Sequence, residues 1–187
     1  MKQFDAIIIG GSAGSFQVIA DILSGLPTDF NLPVILCFHR LRTERYGFVE
    51  ALRPRSVLPI IEPLDKTKMV GGIVYLAPAN YHLYIEKDRH IVLSVEEPEN
   101  HSRPSIDLCF YSASLTFKNK LLAILLSGAN SDGTKGIISV KEQGGHVIVQ
   151  DPAEAEAPLM PKTAINAMTS VEIKKTREIV SFLAEIT

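Results

Sequence analysis

The sequence is poor in cysteine. Only two cysteines occur among its 187 residues, and neither belongs to a CxxC pair or to a Cys/His spacing typical of zinc sites. This argues against a disulfide-stapled fold and gives no candidate metal ligands. Cys37 and Cys109 each lie within an apolar run, so we expect both to be buried, reduced thiols without a catalytic role.

An excess of charge of one sign is also missing. Nineteen lysines and arginines oppose 21 aspartates and glutamates, for a formal net charge of -2, which leaves no basic footprint for nucleic acid and no polybasic patch for a membrane surface. The apolar runs are much shorter than the roughly 20 residues that cross a bilayer, and the first residues lack the apolar core of a signal peptide. We therefore expect a cytoplasmic protein that neither binds nucleic acid nor inserts into a membrane.

Short apolar runs that alternate with helical patterns dominate the chain. Strands that alternate with helices are typical of a doubly wound α/β fold, which has a mostly parallel sheet with helices on both faces. We expect one domain over residues 1–187. The predicted buried strands are 5–10, 33–38, 121–126 and 146–150, and the predicted helices are 16–26, 43–52, 105–117, 134–143, 160–167 and 177–186.

Residues 57–103 have a different pattern. Four short strand candidates are separated by turn-forming residues, a spacing typical of antiparallel hairpins. The segment is too short to bury a core of its own, so we expect it to form an antiparallel β-hairpin elaboration beside the parallel sheet. The four candidates are 57–61, 73–77, 81–86 and 90–95.

The first predicted strand leads into a G-x-S-x-G motif, Gly10-Gly-Ser-Ala-Gly14. Small residues let the chain turn sharply here, so Ser12 can protrude as a nucleophile while backbone N–H groups at the start of the next helix hold an oxyanion. The same glycine-rich turn suits a nucleotide phosphate. The motif alone does not decide between these two functions.

Two further polar residues follow predicted strands. His39 comes directly after the second strand, and Asp132 lies in the turn after a later one. In a parallel sheet these strand ends share one edge with Ser12, where ligands bind. An imidazole can take the serine proton, and a carboxylate can orient the imidazole. Taken alone, Asp132 or Ser131 would more commonly cap the following helix, but the convergence of Ser12, His39 and Asp132 favours a Ser-His-Asp hydrolase.

The order Ser12, His39, Asp132 departs from ordinary α/β-hydrolases, in which the acid precedes the histidine. The sequence instead resembles the catalytic domain of the chemotaxis-receptor protein-glutamate methylesterase family, CheB. The resemblance covers nearly the whole chain. It is carried by Ile7-Ile-Ile-Gly-Gly-Ser-Ala-Gly14, His39, Val74-Tyr-Leu-Ala-Pro78, His82, Arg103-Pro-Ser-Ile-Asp107, Leu126-Ser-Gly128, Asp132-Gly133 and Met160-Pro161.

The resemblance implies roles for the three residues and a reaction. Ser12 matches the family's nucleophile, His39 its general base and acid, and Asp132 its orienting carboxylate. The implied reaction is hydrolysis of glutamate methyl esters on the cytoplasmic helices of chemoreceptors, with methanol as product. Related enzymes also deamidate receptor glutamines. The resemblance implies neither a metal nor an organic cofactor.

The chain departs from the family pattern beside the expected chemistry. The family usually has threonine or another small polar residue where Ala13 stands, and methionine where Ala129 stands. We take Ala13, Ala129 and Asn130 as candidates for oxyanion binding or substrate positioning. The family also usually carries an N-terminal receiver domain, which we do not expect in this chain because its first strand begins within five residues of Met1. The chain is then a stand-alone or truncated enzyme, or a separate receiver or regulatory protein controls it.

A locally basic stretch follows His39 and includes Arg42 and Arg45. Either these arginines form a solvated helix face, or their charge steers acidic receptor helices towards the site. We take Arg42 and Arg45 as candidates for the substrate rim, together with His101 and Arg103. For Arg103 a hydrogen-bonded structural role is favoured.

A second function remains open beside the hydrolase. The chain could be a catalytically weak or silent binding module that docks a receptor or a nucleotide at the same strand-end cleft. The complete set of Ser12, His39 and Asp132 favours the enzyme, whereas the alanines at positions 13 and 129 keep the alternative open.

Overall fold

The computed structural model describes residues 3–39 and 47–186. In chain order its strands and helices are β1 (Ala6–Gly11), α1 (Phe16–Ser24), β2 (Val34–Phe38), α2 (Phe48–Leu52), β3 (Ile60–Ile61), β4 (Thr67–Lys68), β5 (Val74–Leu76), β6 (His82–Ile85), β7 (His90–Ser94), α3 (Ile106–Phe117), β8 (Leu121–Leu125), α4 (Thr134–Glu142), β9 (His146–Gln150), α5 (Leu159–Asn166), β10 (Glu172–Lys174) and α6 (Thr176–Glu185).

Seven of the strands form one parallel sheet, in the order β10-β9-β8-β1-β2-β5-β3. β1 lies at its centre, between β8 and β2. The other three strands form a small antiparallel sheet in the order β4-β7-β6. The predicted α/β class, a mostly parallel sheet with an antiparallel elaboration, is confirmed.

The core has two apolar layers, one on each face of the parallel sheet. Along β1, Ile7 and Ile9 pack in the layer that includes residues of α1, α2 and α6, whereas Ala6 and Ile8 pack in the layer that includes residues of α3, α4 and α5. A strand covered on both faces needs an apolar or small residue at every position. This requirement explains the continuous apolar run from which β1 was predicted. Cys37 and Cys109 lie in the second layer, buried and unpaired, as predicted.

The prediction of hairpins over residues 57–103 is right for one half of the segment and wrong for the other. Candidates 81–86 and 90–95 form the antiparallel pair β6 and β7. Candidates 57–61 and 73–77 contain β3 and β5, which pair in parallel with each other, while β5 also pairs in parallel with β2. β5 is buried at every residue, because helices and the small sheet cover the faces of the main sheet there as well.

Two strands were not predicted. β4 and β10 contain two and three residues and are too short and polar for a hydrophobic pattern. The predicted helices agree with the structure to within two residues, except for 43–52, whose first residues lie outside the described ranges. None of the helices in the described ranges has the length and apolarity needed to cross a bilayer.

Candidate active site

Ser12 lies directly beyond the carboxyl end of β1, in the turn that leads to α1. Its backbone N–H donates to the carbonyl of Ser127 (2.8 Å), and its own carbonyl accepts from the N–H (3.1 Å) and the Oγ (2.6 Å) of Ser15. Gly14, with a φ of 77°, continues the turn in a conformation that side chains disfavour. The strand, turn and helix expected around a G-x-S-x-G motif are therefore present, and hydrogen bonds on both sides hold Ser12.

His39 stands beside Ser12 because β1 and β2 pair in parallel, with Gly11 opposite Phe38. Ser12 and His39 are the next residues along the two strands, and neighbouring strands lie about 4.8 Å apart. The His39 side chain is 12% exposed. It therefore lines the carboxyl edge of the sheet, where a substrate can reach it.

Asp132 is fully buried and contacts His39, with 2.7 Å between Asp132 Oδ2 and His39 Nε2. The carboxylate also accepts two backbone N–H groups at the start of α3, from Ile106 to Oδ2 (2.8 Å) and from Asp107 to Oδ1 (3.1 Å). The Ser105 hydroxyl donates to Oδ1 (3.1 Å). A negative charge is stabilised here because the first N–H groups of a helix have no partner within that helix.

The alternative role of Asp132 or Ser131 as a cap of the following helix is wrong. The N-cap of α4 is Gly133, and within the described residues the side chain that accepts an N–H from the first turn of α4 is Asp107, whose Oδ1 binds the Gly136 N–H (2.8 Å). Apart from the N–H of the adjacent Gly133, the backbone groups that Asp132 binds belong to α3. Asp132 thus joins the start of α3 to the imidazole of His39 across the sheet edge.

The protonation of this pair follows from its contacts. Burial alone would raise the pKa of Asp132, but the hydrogen bonds from His39 and from the Ile106 N–H outweigh burial and hold that pKa below its usual value. An ionised Asp132 accepts a hydrogen bond from His39 Nε2–H, which leaves Nδ1 of the neutral ring with a lone pair. Nδ1 is then the nitrogen available as a base, the reverse of the ring orientation in serine proteases.

The three residues predicted for oxyanion binding or positioning lie at this edge. Asn130 contacts the imidazole directly, with 3.3 Å between its Nδ2 and His39 Nδ1, and its Oδ1 accepts from the Asp132 N–H (3.1 Å). Ala13 and Ala129 are exposed, and within the described ranges their backbone N–H groups donate to no acceptor. These two N–H groups are therefore available to a ligand.

Arg103 has the hydrogen-bonded structural role that was favoured for it. Its Nη1 donates to the carbonyls of Val95 and Glu96, at 2.7 Å each. Arg103 also lines a cavity of about 380 Å³, together with Pro78 and Tyr81. Because Pro78 follows β5, which pairs with β2, the cavity opens at the same sheet edge as His39.

Of the other three rim candidates, the structure describes only His101. His101 is exposed in a tight turn over residues 99–102, and Arg42 and Arg45 lie outside the described residues. The neighbour of His101, Asn100, reaches the site instead, with its Nδ2 at 3.3 Å from Asp132 Oδ1. Nothing in the sequence of this polar loop distinguished Asn100.

Ser127 is a second residue without a predicted role. Its Oγ donates to the Ala13 carbonyl (2.7 Å) and accepts from the Ala157 N–H (2.9 Å), while its own N–H donates to Gln150 Oε1 (2.8 Å). Ser127 therefore ties the serine turn to the segment after β9. The only signal for it in the sequence was its place within the Leu126-Ser-Gly128 motif.

A serine, an imidazole and a buried carboxylate at the carboxyl edge of a parallel sheet are typical of Ser-His-Asp hydrolases. Within residues 3–39 and 47–186, no group of three or more histidine, cysteine or acidic side chains is arranged to hold a metal ion. The chain belongs to the CheB methylesterase family, whose model matches residues 7–183.

Relatives and a solved structure agree with this assignment. A protein of Leptospira interrogans, provisionally named protein-glutamate methylesterase/protein-glutamine glutaminase, is 43% identical over 170 residues, which cover 91% of this chain and 88% of that protein. The protein-glutamate methylesterase/protein-glutamine glutaminase of Clostridium acetobutylicum is 31% identical over 162 residues, and the match covers 87% of this chain but 47% of the relative. The chain thus spans about half the length of that relative. The Thermotoga maritima CheB methylesterase catalytic domain matches with a TM-score of 0.92 at 28% identity, over 99% of this chain and 100% of that one.

Proposed function

We propose that this protein is a serine hydrolase that removes methyl groups from glutamate methyl esters of chemoreceptors and releases methanol. The observation that carries the proposal is the contact of His39 Nε2 with the buried Asp132 carboxylate, at a strand end beside Ser12. The family and the names of the relatives support the same reaction.

The reaction begins when the Ser12 hydroxyl attacks the ester carbonyl carbon and His39 Nδ1 takes its proton. Asp132 stabilises the imidazolium, and the N–H groups of Ala13 and Ala129 bind the oxyanion. The imidazolium gives its proton to the methoxy oxygen, and methanol leaves an acyl-enzyme. Water then loses a proton to His39 and attacks the acyl carbon, and the imidazolium returns this proton to Ser12 Oγ as the glutamate leaves.

Asn130 has to move during this cycle. Its Nδ2 lies 3.3 Å from His39 Nδ1, in the direction from which the serine proton arrives. When the substrate binds, the amide leaves Nδ1 and becomes a donor for the ester carbonyl oxygen. Asn130 therefore positions the substrate in this mechanism.

The same groups support glutamine deamidation, the second activity in the relatives' names. The side-chain amide of glutamine has its carbonyl carbon at the same position as the methyl ester, and attack by Ser12 gives the same acyl-enzyme. Here the imidazolium protonates the departing nitrogen, and ammonia leaves instead of methanol.

The substrate and setting follow from the reaction. The partner is the methylated cytoplasmic part of a chemoreceptor, and the enzyme acts in the cytoplasm without a cofactor. Residues 1–187 act as one catalytic domain, and a separate receiver or regulatory protein is a candidate partner. The arginines at positions 42 and 45 support binding of acidic receptor helices, because clustered positive charge raises the rate of encounter with them.

The decisive experiment compares methanol release from methylated receptor by the wild type and by Ser12→Ala. We expect the variant to lose at least about a thousandfold in rate, because the nucleophile is gone. Ser131→Ala, which removes an exposed serine hydroxyl at the same sheet edge, is the matched control and should keep wild-type turnover. Equal release by the wild type and Ser12→Ala would contradict the enzyme and favour the binding module.

A further inference from the structure

A second buried carboxylate lies beside the site, and the mechanism above does not use it. Asp107, the second residue of α3, is 7% exposed. Its Oδ1 accepts the N–H of Gly136 in α4 (2.8 Å), and its Oδ2 lies 3.3 Å from Asn100 Nδ2. Both of its oxygens are therefore held in place.

Asn100 links the two buried carboxylates. Its Nδ2 lies 3.3 Å from Asp132 Oδ1 as well as 3.3 Å from Asp107 Oδ2. The backbone N–H of Asp107 also donates to Asp132 Oδ1 (3.1 Å). Asp107 and Asp132 thus share a side-chain amide and the N-terminus of one helix.

The turn that presents Asn100 has a backbone that most residues avoid. Asn100 and His101 have φ values of 51° and 63°, and the Ser102 N–H donates to the Glu99 carbonyl (2.9 Å). Two successive positive φ values with this hydrogen bond are the pattern of a type I′ turn. Asparagine tolerates positive φ better than most residues, so the turn suits the amide that it holds between the carboxylates.

The surroundings of Asp107 raise the pKa of its carboxyl group. Burial raises the pKa of Asp107 to about 6; the Gly136 N–H opposes the rise, and the negative charge of Asp132 adds to it. Asp107 therefore changes its charge near neutral pH. The groups that face the carboxylate pair are His39 and Cys37 from β2 and its end, Asn100 from the turn, and the backbone N–H groups at the starts of α3 and α4.

We propose that Asp107 is a positioning residue of this hydrolase that acts on His39 through Asn100 and Asp132. It keeps the Asp132 carboxylate oriented with Oδ2 towards the imidazole. When it is ionised, its negative charge makes His39 a stronger base. This inference rests on the proposed function, because it takes His39 to be the base that receives the serine proton.

The first test is the pH profile of methanol release by Asp107→Asn. This substitution removes the charge and keeps an oxygen acceptor for the Gly136 N–H. We expect kcat on the plateau to fall about tenfold with KM within twofold of wild type, because Asp132 loses its orientation. We also expect the acid side of the profile to move to lower pH by about half a unit, because an imidazole near less negative charge holds its proton less tightly.

Asp5→Asn is the matched control for this profile. Asp5 pairs with Arg89 and Lys120 at the opposite edge of the sheet, so its removal changes the net charge equally and should leave the profile at wild type. A fall in kcat for Asp107→Asn without movement of the acid side would show a merely structural role and overturn the inference.

The second test needs no substrate and separates this inference from the proposed function. Carboxyl ¹³C NMR follows the titration of Asp107, assigned through its backbone, in the wild type, in Asp132→Asn and in Asn100→Ala. We expect the Asp107 titration to move down by about one pH unit in Asp132→Asn, because a like charge is lost, and up in Asn100→Ala, because a hydrogen-bond donor is lost.

The outcomes of the two tests are distinct. An Asp107 titration that is the same in all three proteins would overturn the coupling, whatever the esterase assay shows, and it would do so even if Asp107→Asn failed to fold. A wild type that releases no more methanol than Ser12→Ala contradicts the proposed function alone, while the coupling of the carboxylates stands on the NMR result.

Discussion

Ser127 shows how one side chain can hold a turn that it does not itself form. Its hydroxyl and N–H make contacts with Ala13, Ala157 and Gln150. We expect Ser127→Ala to lower the free energy of unfolding by about 1 kcal/mol, because the substitution leaves the part-buried Ala13 carbonyl and Ala157 N–H without this partner. We expect methanol release to fall about tenfold, because the turn that carries Ser12 is no longer tied to the segment after β9.

Urea denaturation and the methanol assay check this prediction. Ser181→Ala is the matched control, because the exposed Ser181 hydroxyl donates only to the Arg177 carbonyl within α6 (3.0 Å), and its loss should change stability by less than about 0.5 kcal/mol. Equal effects of the two substitutions would contradict a positioning role for Ser127.

The meeting of Ser12, His39 and Asp132 at one edge of the sheet could be predicted, but the surroundings of these residues could not. Ser12, His39 and Asp132 follow buried strands, and parallel pairing brings strand ends to one edge; the 2.7 Å contact of His39 with Asp132 agrees with that reasoning. The ring orientation of His39 depends on side-chain contacts across 93 residues of sequence. The approach of Asn100 depends on a turn with positive φ values, which a polar loop sequence does not reveal.

At the scale of elements, α3 and α4 pack unusually closely at Gly136. A Cβ atom there would lie 2.9 Å from the backbone Cα and O of Asp107 and 2.7 Å from Phe110 Cβ. At an open helical site, alanine in place of glycine stabilises a protein by about 1 kcal/mol. At Gly136 we expect the opposite sign, a loss of about 1–3 kcal/mol, because the helices have to separate.

Thermal unfolding of Gly136→Ala measures this sign directly. Activity should fall as well, because the start of α3 holds Asp132. Lys135→Ala, at an exposed position of the same helix, is the control and should keep both stability and activity near wild type. A Gly136→Ala protein that is more stable than wild type would contradict this prediction, because it would show that α3 and α4 accommodate the methyl group without a loss of stability.

Strands buried on both faces could be predicted because both faces require apolar or small residues, which appear in the sequence as a continuous apolar run. β1, β2 and β8 are apolar at nearly every position, and the prediction of parallel central strands was right for them. β5 has the same character over only three residues, and so short a run does not show whether its partners are parallel or antiparallel. β10 consists of the exposed Ile173 between two charged residues, so it has no apolar pattern that would predict a strand. It is a strand because it pairs with β9.

At the scale of the whole molecule, the raised pKa of Asp107 makes stability depend on pH. Burial raises this pKa from 3.8 to about 6, so between these values the folded protein binds more protons than the unfolded chain. The contribution of Asp107 to the free energy of unfolding is therefore complete below pH 3.8 and is lost as the pH rises through about 6. Above that pH, the ionised side chain costs up to about 3 kcal/mol.

Asp107→Asn should therefore become more stable relative to wild type as pH increases from 4 to 7, by up to about 3 kcal/mol. Urea denaturation of both proteins at several pH values in this range measures the difference. A difference that does not change with pH would contradict the raised pKa. If Asp107→Asn is more stable than wild type but releases methanol more slowly, the ionised Asp107 lowers the stability of the wild type while it supports activity.

The strand order has a consequence for synthesis on the ribosome. β1 pairs with β2 on one side and with β8 on the other, and about 110 residues of chain separate β1 from β8. β8 follows β2 by about 85 residues, so at about 5–20 residues per second the second partner of β1 emerges about 4–17 seconds after the first. Throughout that interval an apolar strand has an unpaired edge, which other nascent chains can pair with. We expect the wait for β8 to be a period in which the nascent chain is prone to aggregate.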